Sequence, residues 1–420
     1  MKVRVHPKDV FGLIDSVPNL LQRKTSSGWF VPQIDGLRFV AIATVFAVHI
    51  IAYTAGTNVG SVSSPWLLGN YEHLARGVQL FFVISGFVIA MPFMICANKS
   101  DRAPSLKDFF VRRLTRLEPP FLIAMVLTYT SLVLVHHSSA RTLLPHLLAT
   151  CTYTHMMVYG TKSPIAFITW SLEIEIQFYM IAPLIMTALK LRAWRRRLVL
   201  ASLAIASLSV EALTAHAHPV IAASLVAYLP FFVAGIIACD LAIASDFWRN
   251  QRSPRWDAIG GIAMFGAYAI PNSGFWGSLA MSALFGAGVI GAFRGAALAS
   301  AMALRWLTAI GGMCYTIYLL HVPLIYLFGR FTRHAFIGHT QESNAGIQLL
   351  SLPLPILFAC SLYFLAIEKP CMNKRWMRQL VQFVLPAVQR TVAAETLESN
   401  LQHNIPRHTG GDLLDSELKA

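Results

Sequence analysis

The chain has 420 residues, 55% of them hydrophobic and only 13% charged, with a mean hydropathy of +0.56. So apolar a composition excludes an ordinary soluble protein and predicts an all-α, polytopic bundle of membrane helices. The net charge of +14 would suit a nucleic-acid binder. The basic residues, however, are placed as orientation signals beside apolar runs, so the expected partner is the lipid bilayer and no nucleic acid.

Residues 1–32 carry Lys2, Arg4, Lys8, Arg23 and Lys24 without the apolar core or cleavage site of a signal peptide, and read as a cytoplasmic amino-terminal segment. Apolar runs of about 17–25 residues predict ten spans, starting near 33, 77, 119, 166, 198, 221, 257, 275, 304 and 346. An even number puts both termini on one side. Of the 34 Lys and Arg residues, 28 fall on the segments assigned to that side and five on the other, which makes both ends cytoplasmic and the location the inner (plasma) membrane. The domains expected are the amino-terminal segment, a membrane domain over 33–370, and a cytoplasmic tail over 371–420, disordered towards its end. The six cysteines show neither metal-ligand spacing nor a disulfide framework, and no metal is expected.

The first span contains IDGLRFVAIATVFAVHI, from Ile34 to Ile50, with Asp35, Arg38 and His49 set in an apolar run. Asp35 lies one turn from Arg38 and can pair with it. On a helix the step from Arg38 to His49 rises about 16 Å and turns a net ~20°, so both lie on one stripe at different depths. Ionisable groups at such depth are costly, and His49 reads as the reaction centre. Span 2, RGVQLFFVISGFVIA, offers Ser85-Gly86 as a small-residue patch for helix packing or for a thin ligand. The loop from Asn98 to Glu118 is basic, and the next helix is expected to begin at Pro119-Pro120. Arg113 and Arg116 share a face there, as a topology signal or as paired guanidinium forks for a phosphorylated ligand such as the nucleotide end of coenzyme A. The outer segment from His136 to Pro164 has room for a short interfacial helix around Leu143 to Met156.

Span 4 opens TWSLEIEIQFYMIAP. Glu173 and Glu175 point about 200° apart, so at most one faces a given pocket, and Tyr179 one turn from Glu175 favours Glu175. A pairing of Glu175 with a buried arginine such as Arg38 is the alternative to direct chemistry. Span 9 carries YTIYLLHVP, where His321 is either a core polar group or a functional one.

Taken together, IDGLR with its following histidine, RGVQLFFVISGF, FFVRRLTRLEPPF, WSLEIEIQFY, YTIYLLHVP and the closing IEKP resemble, in order over residues 33–370, the acyltransferase-3 family of integral-membrane acyltransferases. The resemblance implies transfer of an acyl group, acetyl above all, from cytoplasmic acyl-CoA (acetyl-CoA) as co-substrate to a hydroxyl on a carbohydrate or glycolipid acceptor or a small secreted product. Carried over by position, it marks Arg38 and His49 as the essential arginine and histidine. Arg113 and Arg116 become the arginine pair, and Glu175 with Phe178 and Tyr179 the glutamate motif. Ser85 and Tyr179 join the arginine pair as candidate donor contacts. Gln79 stands where many members carry aspartate, and Glu173 where a small residue is common. The chain lacks room for the esterase-like domain fused to some members, so a one-piece enzyme is expected.

The chemistry agrees with this. A hydroxyl attacks a thioester only when a base takes its proton, which suits an imidazole at His49. Glu175 would orient the ring or hold its charge. Direct transfer and an acyl-histidine intermediate both fit. The rival class is a proton-coupled transporter or flippase, since ten spans with buried ions also describe carriers. A purely structural partner leaves the polar residues of spans 1 and 4 unexplained.

Overall fold

The computed structural model describes residues 16–23, 30–54, 64–98, 105–214, 218–244, 252–271, 274–332 and 340–373. The described residues up to Met372 form one compact unit. Most of the amino-terminal segment and the tail expected to be disordered lie outside the described residues.

Among the described residues every regular element is helical. Nine helical stretches of the described residues are long and apolar enough to cross a membrane: Pro32–Thr54, Pro65–Ala97, Leu106–Leu134, Phe167–Lys190, Ala193–Thr214, Val220–Ala242, Gly274–Arg294, Cys314–Thr332 and Gln341–Cys371. The helices used below are α1 (Pro32–Thr54), α2 (Gly77–Asn98), α3 (Leu106–Leu134), α4 (Ala140–Cys151), α5 (Trp170–Ile185), α6 (Leu225–Ala244), α7 (Pro254–Ala269), α8 (Gly274–Arg294), α9 (Arg305–Gly312), α10 (Cys314–Thr332) and α11 (Pro353–Tyr363).

Three expectations shift. The span anticipated near 257 is α7, whose 16 residues rise about 24 Å, short of the ~30 Å hydrocarbon core. It lies along α8, where glycines Gly260 and Gly291 bring the two backbones together, and it exposes Ile259, Ile262 and Phe265 on its other side. The span anticipated near 304 is divided into α9 and α10 at Met313, and Gly311, near the end of α9, lies so close to the backbone of Asp35 in α1 that any added Cβ would collide with it. Finally, Pro119 and Pro120 do not start a helix but sit inside the 29-residue α3. The hydroxyls of Tyr315 and Tyr363 donate to the carbonyls of Leu117, two residues before the kink-prone pair, and of Pro120 within it, at 3.0 and 2.5 Å. The continuous helix carries Arg113 and Arg116 into the bundle.

The helix expected in the segment after α3 is present as α4, capped by Ser139. It folds back along α3, held by the Tyr129 hydroxyl on the Ala140 carbonyl at 3.0 Å and by Tyr153 stacked on Phe121 at 4.7 Å. Tyr153 takes a left-handed backbone, with φ 56°. For an aromatic residue that conformation is strained, and it turns the ring inward.

Two apolar cores share α1. Ile34, Leu37 and Ala41 pack with α2, α5, α6 and α8, whereas Ile42, Val45 and Ile50 pack with α3, α10 and α11. A close crossing joins α2 and α6, where Gly86 faces the carbonyl of Phe232 and Gly235 faces that of Val83, neither leaving space for a side chain. Gly86→Val or Gly235→Val should therefore force these helices apart. Each is expected to lower stability by about 1–3 kcal/mol, read as earlier thermal unfolding in detergent.

Candidate active site

The local sequence first fixes Arg38. Asp35 is fully buried one turn earlier and accepts from Arg38 at 2.7 Å and from Arg23 at 2.8 Å. Burial and the neighbouring Arg38 lower the Arg23 guanidinium to about 10, so it remains charged at neutral pH. One carboxylate thus holds two guanidinium groups, and the cluster keeps a net positive charge.

Arg38 lines a cavity of about 220 Å³ together with Arg113 and Arg116 from α3, Ser85 from α2, Glu175 and Tyr179 from α5, and Cys314, Tyr315 and Tyr318 from α10. Tyr153 reaches the same cavity. The Arg113 guanidinium lies over the rings of Phe109 and Tyr179, 4.4 and 5.0 Å from their centroids, and so is held against aromatic faces. Nε of Arg116 is buried and has no hydrogen-bond partner among the described residues. A buried donor of this kind is what an incoming anionic group would satisfy.

Glu175 accepts from the hydroxyls of Ser85 at 2.8 Å and Tyr179 at 2.5 Å. These contacts gather three of the sequence-predicted residues on one wall. Ser85 and Gly86 have parted roles: the serine turns to the cavity and the glycine to the α6 crossing. Glu173 points away from the cavity. Both of its oxygens receive the amide of Met156, at 3.1 and 2.9 Å, so it holds the start of the short helix His155–Tyr159.

The unbroken helix α1 carries His49 beyond this cavity. His49 is absent from the lining, and Tyr318 stands between. The Tyr318 ring faces the cavity on one side and lies 5.8 Å from the His321 ring on the other. Its hydroxyl donates to the Ile168 carbonyl at 2.7 Å, which leaves Ser171 to donate to Tyr318 at 2.6 Å. The partner of His49 is not Glu175 but His321: His49 Nδ1 is 3.0 Å from His321 Nε2 and 2.8 Å from the Val45 carbonyl. The Phe167 ring packs at 5.4 Å.

Carbonyl oxygens accept only, so these contacts assign the tautomers. His321 Nδ1 meets the carbonyls of Ile317 and Tyr318 at 3.0 and 2.8 Å and must carry hydrogen there, making Nε2 an acceptor when the ring is neutral. His49 Nδ1 then faces two acceptors and also carries hydrogen. Its Nε2 keeps the lone pair, as a base requires.

Sequence reasoning missed two further groups. Glu368, of the closing IEKP, is fully buried and takes the amide and hydroxyl of Thr316 at 3.1 and 2.5 Å, tying the chain after α11 to the start of α10. Tyr153 was invisible because its place depends on the fold-back of α4.

Fold and site thus define a polytopic helical membrane protein whose arginine-lined cavity ends beneath a pair of histidines. The sequence model of the acyltransferase-3 family, described as an acyltransferase domain, matches residues 31–367, and the chain belongs to that family. It is 30% identical over 165 residues to the peptidoglycan O-acetyltransferase OatA of Listeria monocytogenes, covering 37% of this chain and 24% of that protein. It is 29% identical over 175 residues to YrhL of Bacillus subtilis, provisionally designated a peptidoglycan O-acetyltransferase, covering 39% of this chain and 25% of the relative. The chain spans about a quarter of the length of the curated relatives it matches. No solved structure matches.

Removing the shared carboxylate should expose its role. Asp35→Asn leaves two largely buried guanidinium groups without a counter-charge and is expected to cost up to about 3 kcal/mol of stability. Thermal unfolding in detergent checks this, and an unchanged midpoint would contradict the arrangement.

Proposed function

We propose that this protein is a membrane O-acyltransferase that moves an acyl group, acetyl by preference, from cytoplasmic acyl-CoA to a hydroxyl of a cell-surface or exported carbohydrate. The observation that carries the reading is a single path: three arginines at the cavity wall, Glu175 with Ser85 and Tyr179 beside them, and His49 with a bare Nε2 beyond Tyr318. Family membership and the named activity of the Listeria relative support acetyl transfer to a glycan.

In this mechanism Arg113 and Arg116 hold the donor's phosphates and Arg38 lends positive charge deeper in the cavity. His49 Nε2 takes the acceptor hydroxyl's proton as its oxygen attacks the thioester carbonyl. The C–S bond then breaks, the ester forms, and the imidazolium returns its proton to the coenzyme A thiolate. Tyr318 and Ser171 must part for donor and base to meet.

The two ends of the path should fail differently. With purified protein, acetyl-CoA and candidate glycans, His49→Ala is expected to lower kcat by at least about 10²-fold. Arg113→Gln with Arg116→Gln should instead raise the donor KM far more than the acceptor KM, since phosphate contacts persist from ground to transition state. Near wild-type turnover by His49→Ala would sink the base assignment.

Orientation is a separate test. The charge bias supports a cytoplasmic loop before α3 and an outer start of α4. On a background stripped of the six native cysteines, a cysteine at Ser139 should be labelled in intact cells and one at Ser105 protected. The reverse pattern would favour a transporter.

A further inference from the structure

The structure assigns His321 as the positioning residue that fixes the tautomer of His49 and spreads its charge when it is protonated. The inference rests on the proposed role of His49 as base.

Three observations carry it. His321 is fully buried on α10, so neither water nor a mobile counter-ion sets its state. Its Nδ1 is committed to the carbonyls of Ile317 and Tyr318, so Nε2 can only accept while the ring is neutral. That Nε2 lies 3.0 Å from His49 Nδ1, with ring centroids 4.8 Å apart. The Val45 carbonyl supports the same tautomer from within α1, but it also belongs to the helix's own hydrogen-bond ladder, whereas the α10 imidazole has a lone pair for this contact alone. In a serine hydrolase the equivalent contact is made by a carboxylate. A neutral imidazole performs it here without adding a charge that would have to be buried in the membrane. When His49 Nε2 binds the acceptor's proton, the positive ring is held through Nδ1–H to His321, and through His321 Nδ1–H to the two carbonyls of α10. His321 does not line the cavity, so on this reading it acts only through His49.

The test compares two substitutions at 321. Glutamine places an amide oxygen where His321 Nε2 lies and can accept from His49 Nδ1; leucine fills the volume and accepts nothing. His321→Leu is expected to lose at least ~10-fold in kcat with donor KM unchanged, and His321→Gln to stay within ~3-fold of wild type, because only a contact to the ionising ring is lost. Equal activities of the two variants, high or low, would overturn the inference, as would a loss confined to KM. Should His321→Leu not fold as a monodisperse species in detergent, His321→Asn takes its place, being too short to reach His49.

A measurement independent of turnover separates this inference from the function itself. In protein with 15N-labelled histidine, His49, assigned by its loss in His49→Ala, should show a protonated Nδ1 and a bare Nε2 at neutral pH, and lose that preference in His321→Leu. The opposite tautomer in the wild type would refute the positioning role even if His49 proved essential. If His49→Ala remained active while the tautomer result held, the base reading would fail and the positioning geometry would stand.

Discussion

The structure depends on the fully buried Asp35 holding Arg23 and Arg38, whose side chains are largely withdrawn from solvent. A carboxylate and a guanidinium lose several kcal/mol each on leaving water, and only close, well-directed contacts offset that loss. Serving two arginines with one carboxylate leaves the cluster positive, and this surplus lies beside the cavity that Arg38 lines. The backbone of Asp35 meets Gly311 of α9, so the element that balances the charges also sets the spacing of the helices around them. Electrostatics and packing cannot be altered separately at this point.

From there α1 acts as a common wall. Its apolar residues join two cores, and its polar ones mark two depths: Arg38 at the cavity, His49 at the histidine pair. Glycines bring α2 close to α6 and α7 close to α8, which is how a bundle gains contact when lipid offers no hydrophobic drive between helices. The outward faces stay apolar, with Leu213, Phe265, Leu350 and Leu354 among the most exposed side chains.

Much of this was legible in the sequence where it depended on period or on near neighbours. The pairing of Asp35 with Arg38 and the turn linking Glu175 to Tyr179 follow from helix geometry, and both recur in the structure. Family membership was readable from motif order. What could not be read were contacts made across the fold. His321 meets His49 from 272 residues away, and Glu173 caps a helix whose position is set by the fold-back of α4. Pro119-Pro120 looked like a helix start because local rules penalise proline inside a helix, yet α3 runs through the pair, where hydroxyls from Tyr315 and Tyr363 pack against its backbone. Hydropathy likewise marked α7 as a span because it measures apolarity, while length decides whether a helix crosses.

The hydroxyl contact between Tyr318 and Ser171 has a further consequence. On the proposed reading the cavity opens to the cytoplasm, and the histidines lie on the far side of that contact. A continuous file of water from the cavity through two imidazoles would conduct protons down the membrane potential, about 2.3 kcal/mol per charge for each 100 mV. Ser171 donates to Tyr318, and Tyr318 donates to the Ile168 carbonyl, so the hydrogens of both hydroxyls are already engaged and the file is interrupted. On the proposed reading, an enzyme that hands an acyl group through a membrane has to insulate it as well, and the contact of these two side-chain oxygens would be the place of that insulation.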